Sequence, residues 1–557
     1  MIDKEQNRGN WLHIVGLLGW LTLGIGLRFT NLGDKSPSSI EISTLGFSLG
    51  NGFLAVPLDQ VISLDTLLLP VAVSGETSPA TVITRLMSES NHPPLYFVLT
   101  HFWLKVVSVG DILWEGRSLS AILGAAAIPA LFGFGWLTFR SRDVAQMAAA
   151  LMAVSPYGIY LAQEARHYTL TILWIIASLS CLVVATRFLE SKKNLPVWVG
   201  CVWAIANSLG VATHYFFFLV IYAEGLVIGW FWWRDFHWTG YWRRIYAVAA
   251  GTAIGCLVWL PVILGVSEQE LTDWIETSYA LDEIWTPIPR LLAWWITMVF
   301  LLPVEGRPLV VTILSGLILL LVLVWVAPGV IGGLKGQMKS TNSMSVLVGF
   351  LGGAIALFLI IIYVMGKDLS LAARYHFVYF PVIIVLLAAA LAICWQEIKG
   401  MKNLLHFSLK ARGKQVVVGV LLMGLLGGIT VVTNYGYQKN QRADLLISQI
   451  QANSKVPVLI ATTYKTHAEL RSLIGVGFEF QRQQLQPPSF ILLDKNNYAG
   501  LETPDVLQKT LNKIQRPLDL WGVNLNADSD DLEALNCWGD SLKSNHNGYR
   551  VRLYHCG

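Results

Sequence analysis

Residues 155–173 of the sequence read SPYGIYLAQEARHYTLTIL and place a run of polar side chains between two apolar segments. The apolar segments are residues 143–162 and 168–187, and each has about the 20 residues that a helix needs to cross a bilayer. Charged side chains at membrane depth are costly, so they are usually paired or functional. The stretch therefore indicates a helical membrane protein with a candidate site where two spans meet.

The polar run itself contains Gln163, Glu164, Arg166, His167 and Tyr168. The carboxylate and the guanidinium could simply neutralise each other at a helix end. The added imidazole and phenol exceed what a short turn requires, so we interpret the run as part of a pocket.

The composition agrees with a membrane protein. Of 557 residues, 54% are hydrophobic and 14% are charged, whereas soluble proteins carry about 25% charged residues. We predict an all-α polytopic protein with about eleven spanning helices. These are residues 11–29, 117–139, 143–162, 168–187, 196–213, 215–233, 245–265, 308–330, 345–365, 376–395 and 415–433.

The positive-inside rule sets the predicted topology. Two apolar stretches, residues 93–109 and 289–303, are ambiguous; if neither spans, all the Lys and Arg clusters between spans fall on the cytoplasmic face. We therefore expect interfacial or re-entrant helices there, a cytoplasmic N-terminus, and an outer face that receives residues 30–116, the polar run and the tail. The predicted location is the cytoplasmic (inner) membrane.

The tail has a different character from the rest of the chain. VPVLIATT and SFILLD have the composition of strands, whereas ADLLISQIQANS and TPDVLQKTLNKI have apolar residues at helical spacing. We predict a membrane domain at residues 1–433 and a small extracytoplasmic α/β domain at residues 434–557. Cys537 and Cys556 could pair there, since extracytoplasmic compartments permit disulfides.

The long loop at residues 30–116 carries another polar cluster. SSIEISTLGF contains Glu41, and SESNHPPLYFVLTHFW contains Asn91 and His92 before paired prolines. The paired prolines favour a boundary between two elements. The second segment could be only an interfacial anchor, because aromatic and basic residues are interleaved in it.

The third cluster lies in GKDLSLAARYHFVYFP, residues 366–381, with Arg374 and Tyr375 before an apolar run. A guanidinium at a helix N-terminus is typical of a phosphate site, since its planar donors and the helix dipole act together. An arginine that extends towards the membrane surface is the simpler alternative.

Together the clusters predict an outer-face pocket for an anionic, lipid-linked group. Arg166 and Arg374 supply positive charge, and Glu41, Glu164 and His92 are candidate acids or bases, as glycosyl transfer from a lipid phosphate requires. The sequence has no glycine-rich nucleotide loop, and a metal is possible but no residue spacing indicates one.

The order and spacing of three segments resemble bacterial polyprenyl-phosphate-sugar glycosyltransferases of the GT-C fold. The segments are HPPLYFVLTHFW through EGRSLSAILGAAAIPALFGFGWLTF, MAVSPYGIYLAQEARHYTL, and ARYHFVYFPVIIVLLAAALA, within residues 11–395. This group includes protein mannosyltransferases, aminoarabinose transferases that modify lipid A, and lipopolysaccharide glycosyltransferases.

The resemblance implies an undecaprenyl- or dolichyl-phosphate sugar as donor, with the undecaprenyl-phosphate sugar expected here, and an acceptor that is a lipid, glycan or protein. It also implies no nucleic-acid partner and a first-loop carboxylate as catalytic base. It implies that Glu41 is catalytic and that the donor phosphate is bound by Arg166, Arg374 and Tyr375. The remaining pocket residues are Asn91, His92, Gln163, Glu164, His167 and Tyr168.

The sequence departs from the family pattern at the position of the catalytic base. The family has an Asp-Glu pair, whereas in SIEISTLG Glu41 matches the second acid and Ile40 takes the first position. Three readings follow: Glu41 is the base, another acid replaces the missing Asp, or the protein binds lipid-linked sugar without turnover. The replacement acids are Asp34, Asp59 and Asp65. A transporter or flippase is less consistent, because such proteins often have internal repeats and polar groups at the bilayer midplane.

Overall fold

The computed structural model describes most of the chain as two compact units. The described residues are 2–73, 75, 77–234, 240–259, 275–276, 283–338, 342–396, 413–497, 505–527, 529–544 and 548–557. The first unit comprises Met1–Leu32, Arg117–Ser267 and Thr272–Gln438, and the second contains Gly33–Gly116 and Lys439–Gly557. Within the second unit, the first long loop therefore shares a core with the C-terminal segment.

Helices dominate the described chain. In chain order they are α1 (Ile2–Phe29), α2 (Ser39–Ser48), α3 (Leu64–Leu68), α4 (Pro79–Glu89), α5 (Leu95–Val106), α6 (Ile112–Phe139), α7 (Arg142–Val154), α8 (Pro156–Ala162), α9 (Tyr168–Glu190), α10 (Val197–Thr213), α11 (Phe217–Arg234), α12 (Arg243–Leu257), α13 (Pro287–Thr297), α14 (Leu309–Met338), α15 (Asn342–Tyr363), α16 (Phe380–Trp395), α17 (Gly413–Val432), α18 (Ala443–Asn453), α19 (His467–Arg482), α20 (Asp505–Lys513) and α21 (Ser529–Glu533). The first unit holds α1, α7 to α17 and most of α6.

The polytopic helical class is confirmed. Among the described residues, seven helices are long and apolar enough to cross a membrane, and the bent pair α7 and α8 makes an eighth if it counts as one span. The seven are α1 from Trp11, α6, α9, α11, α14, α15 and α17.

The predicted count of about eleven spans is not confirmed. Two expected spans form shorter helices, α10 with 17 residues and α16 with 16, and the expected span at residues 245–265 lies partly outside the described residues. The start of the expected span at residues 376–395 belongs instead to a 3₁₀ helix, Ala373–Val378. The two ambiguous stretches contain α5 and α13, of 12 and 11 residues.

The expected span at residues 143–162 is broken between α7 and α8, whose axes bend by 57°. Pro156 lacks the N–H group that would continue the helix to the carbonyl of Met152. Arg28 of α1 satisfies that carbonyl from Nη2 at 2.9 Å, and its Nη1 lies 3.3 Å from the carbonyl oxygen of Ala153. The hydroxyl of Ser155 then caps α8 by accepting from the Gly158 amide.

The second unit is built on a six-stranded sheet of order β1-β3-β2-β4-β6-β5. The strands are β1 (Val61–Ile62), β2 (Val458–Tyr464), β3 (Ser489–Asp494), β4 (Leu518–Val523), β5 (Cys537–Ser544) and β6 (Val551–Cys556). β2, β3 and β4 are parallel, whereas β1 pairs with β3 in antiparallel register. The α/β character predicted for the tail is therefore present, and the first loop adds an edge strand to it.

Side chains alternate across this sheet, as the strand period of two requires. Phe490 packs with Phe47 of α2 in one core, while Ile491 packs with Leu507 of α20 in the other. Cys537 and Cys556, opposite each other in the β5–β6 register, form a disulfide.

Candidate functional site

The polar run between α8 and α9 is buried in the first unit, including Glu164, Arg166 and His167. Gln163 ends α8 and fixes the run to the end of α1. Its side-chain amide donates to the carbonyl oxygens of Arg28 and Thr30, at 3.3 and 2.8 Å, groups that have no partner inside a helix end. The predicted pocket residue Gln163 thus has a clear structural role.

Arg166 is held through its backbone. Its amide donates to the Ser120 hydroxyl at 3.2 Å, and that hydroxyl lies 3.0 Å from the Arg166 carbonyl oxygen. The guanidinium carbon lies 5.8 Å from the centre of the Tyr168 ring, within the range of a cation–π contact. The arginine is therefore fixed at the N-terminal end of α9.

A second histidine lies against this run. The ring centres of His167 and His214 are 4.5 Å apart in an edge-to-face arrangement, which is favourable for aromatic pairs. Tyr168 lies 6.0 Å from His214 and 5.7 Å from Phe377 of the Ala373–Val378 helix. His214 thus joins the polar run to the segment that carries Arg374.

The segment before α16 is anchored by buried hydrogen bonds. Asp368 is fully buried and accepts from Arg290 Nη1 at 2.7 Å. The Trp294 indole donates to the Ser370 carbonyl at 2.8 Å, and the Tyr157 hydroxyl donates to the Ala373 carbonyl at 3.0 Å. Arg374 therefore follows a rigid turn, and it opens a six-residue 3₁₀ helix rather than α16 itself.

Both predicted phosphate-binding arginines act on His214. The Phe216 amide donates to His214 Nδ1 at 3.0 Å, so the neutral imidazole carries its hydrogen on Nε2. Burial, then the positive charges of Arg166 and Arg374, lower the pKa of His214 to about 3. The ring is therefore an uncharged hydrogen-bond donor at neutral pH, within the electrostatic influence of two cations.

Arg374 also faces the acid of the polar run. Its charge interacts with Glu164 and with the hydroxyl groups of Tyr168 and Tyr375, and its guanidinium carbon lies 5.2 Å from the Tyr375 ring centre. The first unit thus brings together the predicted residues of the second and third clusters. Two fixed guanidinium groups, phenols and a neutral imidazole can bind an anion of more than one charge.

An aromatic wall lies next to the polar run. Tyr160 stacks on Tyr437 with ring centres 4.7 Å apart, and Trp294 lies parallel to Tyr437 at 6.1 Å. Neither these rings nor His214 are among the site residues predicted from the sequence. A lone His or Tyr at the end of an apolar run has the same pattern as an interfacial anchor.

Glu41 lies in the second unit and is fully buried. One carboxylate oxygen, Oε2, accepts from the Ser38 amide at 3.0 Å in the capping box of α2, and from Lys439 Nζ at 3.0 Å. A capping box of this kind is a common way to start a helix. The predicted base therefore also stabilises α2 and neutralises a buried lysine.

The other first-loop candidates also lie in the second unit. Asn91 and His92 connect α4 to α5, and His92 Nδ1 lies 3.2 Å from the Ser90 hydroxyl. Asp59 is bound to the tail through the Asp494 amide at 2.9 Å. Asp34 is exposed and Asp65 lies in the first turn of α3.

A metal cluster is not evident in the part of the chain that the structure describes. No group of three or more His, Cys, Asp or Glu side chains there could hold an ion.

No protein-family model matches the sequence, and no curated protein sequence is significantly similar to it. Solved structures do match. ArnT from Cupriavidus metallidurans in the apo state superposes with a TM-score of 0.52 over 99% of this chain and 98% of that chain, at 11% identity. The chain has the GT-C fold.

Two further structures share the GT-C fold with this chain. ArnT bound to undecaprenyl phosphate matches with a TM-score of 0.52 and 12% identity over 97% of each chain. The oligosaccharyltransferase AglB from Archaeoglobus fulgidus, in complex with an inhibitory peptide and a dolichol-phosphate, matches with a TM-score of 0.50 and 12% identity over 98% of this chain and 74% of that chain. A shared GT-C fold does not assign residue roles, which depend on the geometry of the site.

Proposed function

We propose that the protein is an integral-membrane glycosyltransferase that transfers a sugar from an undecaprenyl-phosphate donor to an acceptor on the outer face of the bacterial inner membrane. The observation that carries this proposal is that Arg166 and Arg374, from distant segments, both act electrostatically on the same half-buried histidine, His214. Two guanidinium groups that act on one small region raise its positive potential, which favours an anionic ligand there.

In the proposed complex, Arg166, Arg374 and Tyr375 bind the donor phosphate, and His214 Nε2–H is a further donor. During transfer the bond between the sugar C1 and the phosphate oxygen breaks, and the acceptor oxygen bonds to C1. Negative charge develops on the leaving lipid phosphate, and permanent cations stabilise it most when they are already in place. Tyr168, His167 and Gln163 keep those cations positioned.

A base must accept the proton of the acceptor hydroxyl. The motif supports Glu41 in this role, and Glu164 is a candidate because it belongs to the unit that contains both arginines and interacts with Arg374. We propose Glu41 as the base and Glu164 as the second candidate. Substitution of each by glutamine, with donor binding measured alongside transfer, separates the two.

A non-catalytic role in binding lipid-linked sugar is the second candidate function. It is favoured by Ile40 in place of the expected acid and by the pairing of Glu41 with Lys439 at 3.0 Å, which engages that carboxylate in a buried ion pair. Under either function we propose a cytoplasmic N-terminus and an extracytoplasmic tail. The Cys537–Cys556 disulfide supports the tail's location, since disulfides persist in oxidising compartments.

Purified protein in proteoliposomes with a radiolabelled polyprenyl-phosphate sugar tests the proposal. Release of lipid phosphate with label on an acceptor extract supports transfer. Saturable binding without release supports the non-catalytic candidate, and movement of the intact donor between leaflets would instead indicate a flippase. Absence of any saturable binding would overturn both proposed functions.

A further inference from the structure

A second polar cluster lies inside the helical bundle of the first unit. It consists of Ser178 of α9, Trp203 and Asn207 of α10, Glu224 of α11 and Thr252 of α12, all buried. Ser178 is about 15 Å along α9 from Tyr168 at 1.5 Å per residue, so the cluster is at the depth of the bilayer core. An ionisable residue at this depth is usually functional or tightly constrained.

The contacts of Ser178 show how many hydrogen atoms must lie between its hydroxyl oxygen and the two neighbouring oxygens. Its hydroxyl oxygen lies 2.6 Å from Asn207 Oδ1 and 2.6 Å from Glu224 Oε1. Contacts this short between oxygens each require a hydrogen. The serine supplies one hydrogen and the amide oxygen supplies none, so the second must be on the carboxyl group of Glu224.

The orientation of the Asn207 amide supports this count. If its oxygen and nitrogen were exchanged, the nitrogen would lie 2.6 Å from the serine hydroxyl, shorter than ordinary N–H···O bonds. The carbonyl oxygen therefore faces Ser178.

Trp203 distinguishes the two oxygens of Glu224. Its indole N–H lies 3.0 Å from Glu224 Oε2 and 3.0 Å from the Ser178 hydroxyl oxygen. Oε2 thus accepts, as a carbonyl oxygen does, while Oε1 contacts a group that already donates elsewhere. This is the pattern of a carboxylic acid rather than a carboxylate.

No cation compensates Glu224 within the residues that the structure describes. The other titratable group that interacts with it is the Cys181 thiol, on the same helix as Ser178. An ionised carboxylate without a cation is strongly disfavoured in an apolar interior, and neutralisation by a proton removes that cost.

We propose that Glu224 is a proton-binding site in the membrane: its carboxylic acid keeps its proton at neutral pH and donates it from Oε1 to Ser178. The uncharged cluster then joins α9, α10, α11 and α12 through hydrogen bonds in a region where water does not compete. The inference is independent of the proposed function, because none of these residues belongs to the candidate site.

Infrared spectroscopy of the full chain in lipid nanodiscs at pH 7 tests the protonation directly. The C=O stretch of a carboxylic acid is separate from that of a carboxylate, so we expect an acid band in the wild type that Glu224→Gln removes. Glu190→Gln, an exposed acid at the end of the same helix α9, is the matched control and should keep the band. Identical acid bands in the wild type and Glu224→Gln, or no acid band at all, would overturn the proposal.

Ser178→Ala gives an independent readout if the glutamine variant is poorly folded. It keeps the acid and removes its acceptor, so the acid band should persist and move to higher frequency. We also expect Glu224→Gln to melt close to the wild type, since an amide N–H replaces the acid O–H, and Glu224→Ala to melt lower. A band in Ser178→Ala at the wild-type frequency would contradict the assigned donor.

Discussion

The Arg28 guanidinium donates to the carbonyl oxygen of Met152, with 2.9 Å between Nη2 and the oxygen. Pro156 has no N–H group to donate to this carbonyl oxygen. The Arg28 side chain of α1 therefore supplies the hydrogen bond that is missing at the break between α7 and α8. The turn it stabilises leads directly into the polar run at residues 163–168. Arg28 therefore contributes to the site without belonging to it.

We predict that Arg28→Met lowers the free energy of unfolding by about 1–3 kcal/mol, the usual cost of a buried polar group without a partner. Pro156→Ala returns an N–H at the break, so the double variant Arg28→Met/Pro156→Ala should be more stable than Arg28→Met alone. Thermal melting in detergent, followed by size-exclusion chromatography, measures both effects. Additive losses in the double variant would show that the two residues do not share the Met152 carbonyl.

We predict that Arg374→Ala weakens binding of the polyprenyl-phosphate donor by tenfold or more, since hydrogen bonds to charged groups contribute about 1.5–3 kcal/mol. Arg374→Lys should recover only part of this, because an ammonium lacks the planar donor pair. The matched control is Arg142→Ala, an exposed arginine at the start of α7. Equal donor affinities in Arg374→Ala and Arg142→Ala would remove Arg374 from the site.

We predict that Glu41→Gln stops transfer while the donor still binds. Because Glu41 also pairs with Lys439, stability must be separated from chemistry. Lys439→Met should destabilise the second unit by about 3–5 kcal/mol, since it removes one partner of a buried ion pair. Glu41→Gln/Lys439→Met should regain much of that stability and remain inactive; full activity in this double variant would exclude Glu41 and favour Glu164 as the base.

We predict that His214 makes the folding stability sensitive to acid. Its pKa falls from the ordinary value of 6.5 to about 3 through burial and two nearby arginines. Below about pH 6.5 the imidazole binds a proton in the unfolded chain but not in the folded chain. The contribution of His214 to the free energy of unfolding is therefore fully present above that pH and is lost as the pH falls towards about 3. His214→Gln should flatten the dependence of melting temperature between pH 7 and pH 5. An unchanged slope would mean that His214 is exposed to water in the folded protein.

Much of the fold was accessible from the sequence because long apolar runs have few alternatives to spanning helices. The clusters around Arg166 and Arg374 were accessible for the same reason, since charges at the ends of such runs are conspicuous. The number of spanning helices was harder to predict from the sequence. Both halves of residues 143–162 are apolar, so periodicity does not reveal that a proline and a distant arginine together turn the chain by 57°.

His214 and Glu224 could not be predicted from the sequence for one physical reason: a single polar side chain inside an apolar run has no local pattern. His214 gains its meaning only from Arg166 and Arg374, and Glu224 only from Ser178 on another helix. Strand β1 has two residues, too few for an alternation to appear. Its pairing with β3 therefore could not be read from periodicity.

The ion pair between Glu41 and Lys439 joins residues 398 positions apart, and this separation constrains the order of events during biosynthesis. At roughly 5–20 residues per second, a ribosome needs about 20–80 s to proceed from the first partner to the second. For that interval the segments that become α2 and β1 lack the lysine and the sheet that complete them. Completion of this unit is consequently a late event, and a nascent chain stopped before residue 439 would display an unfinished loop to chaperones and proteases.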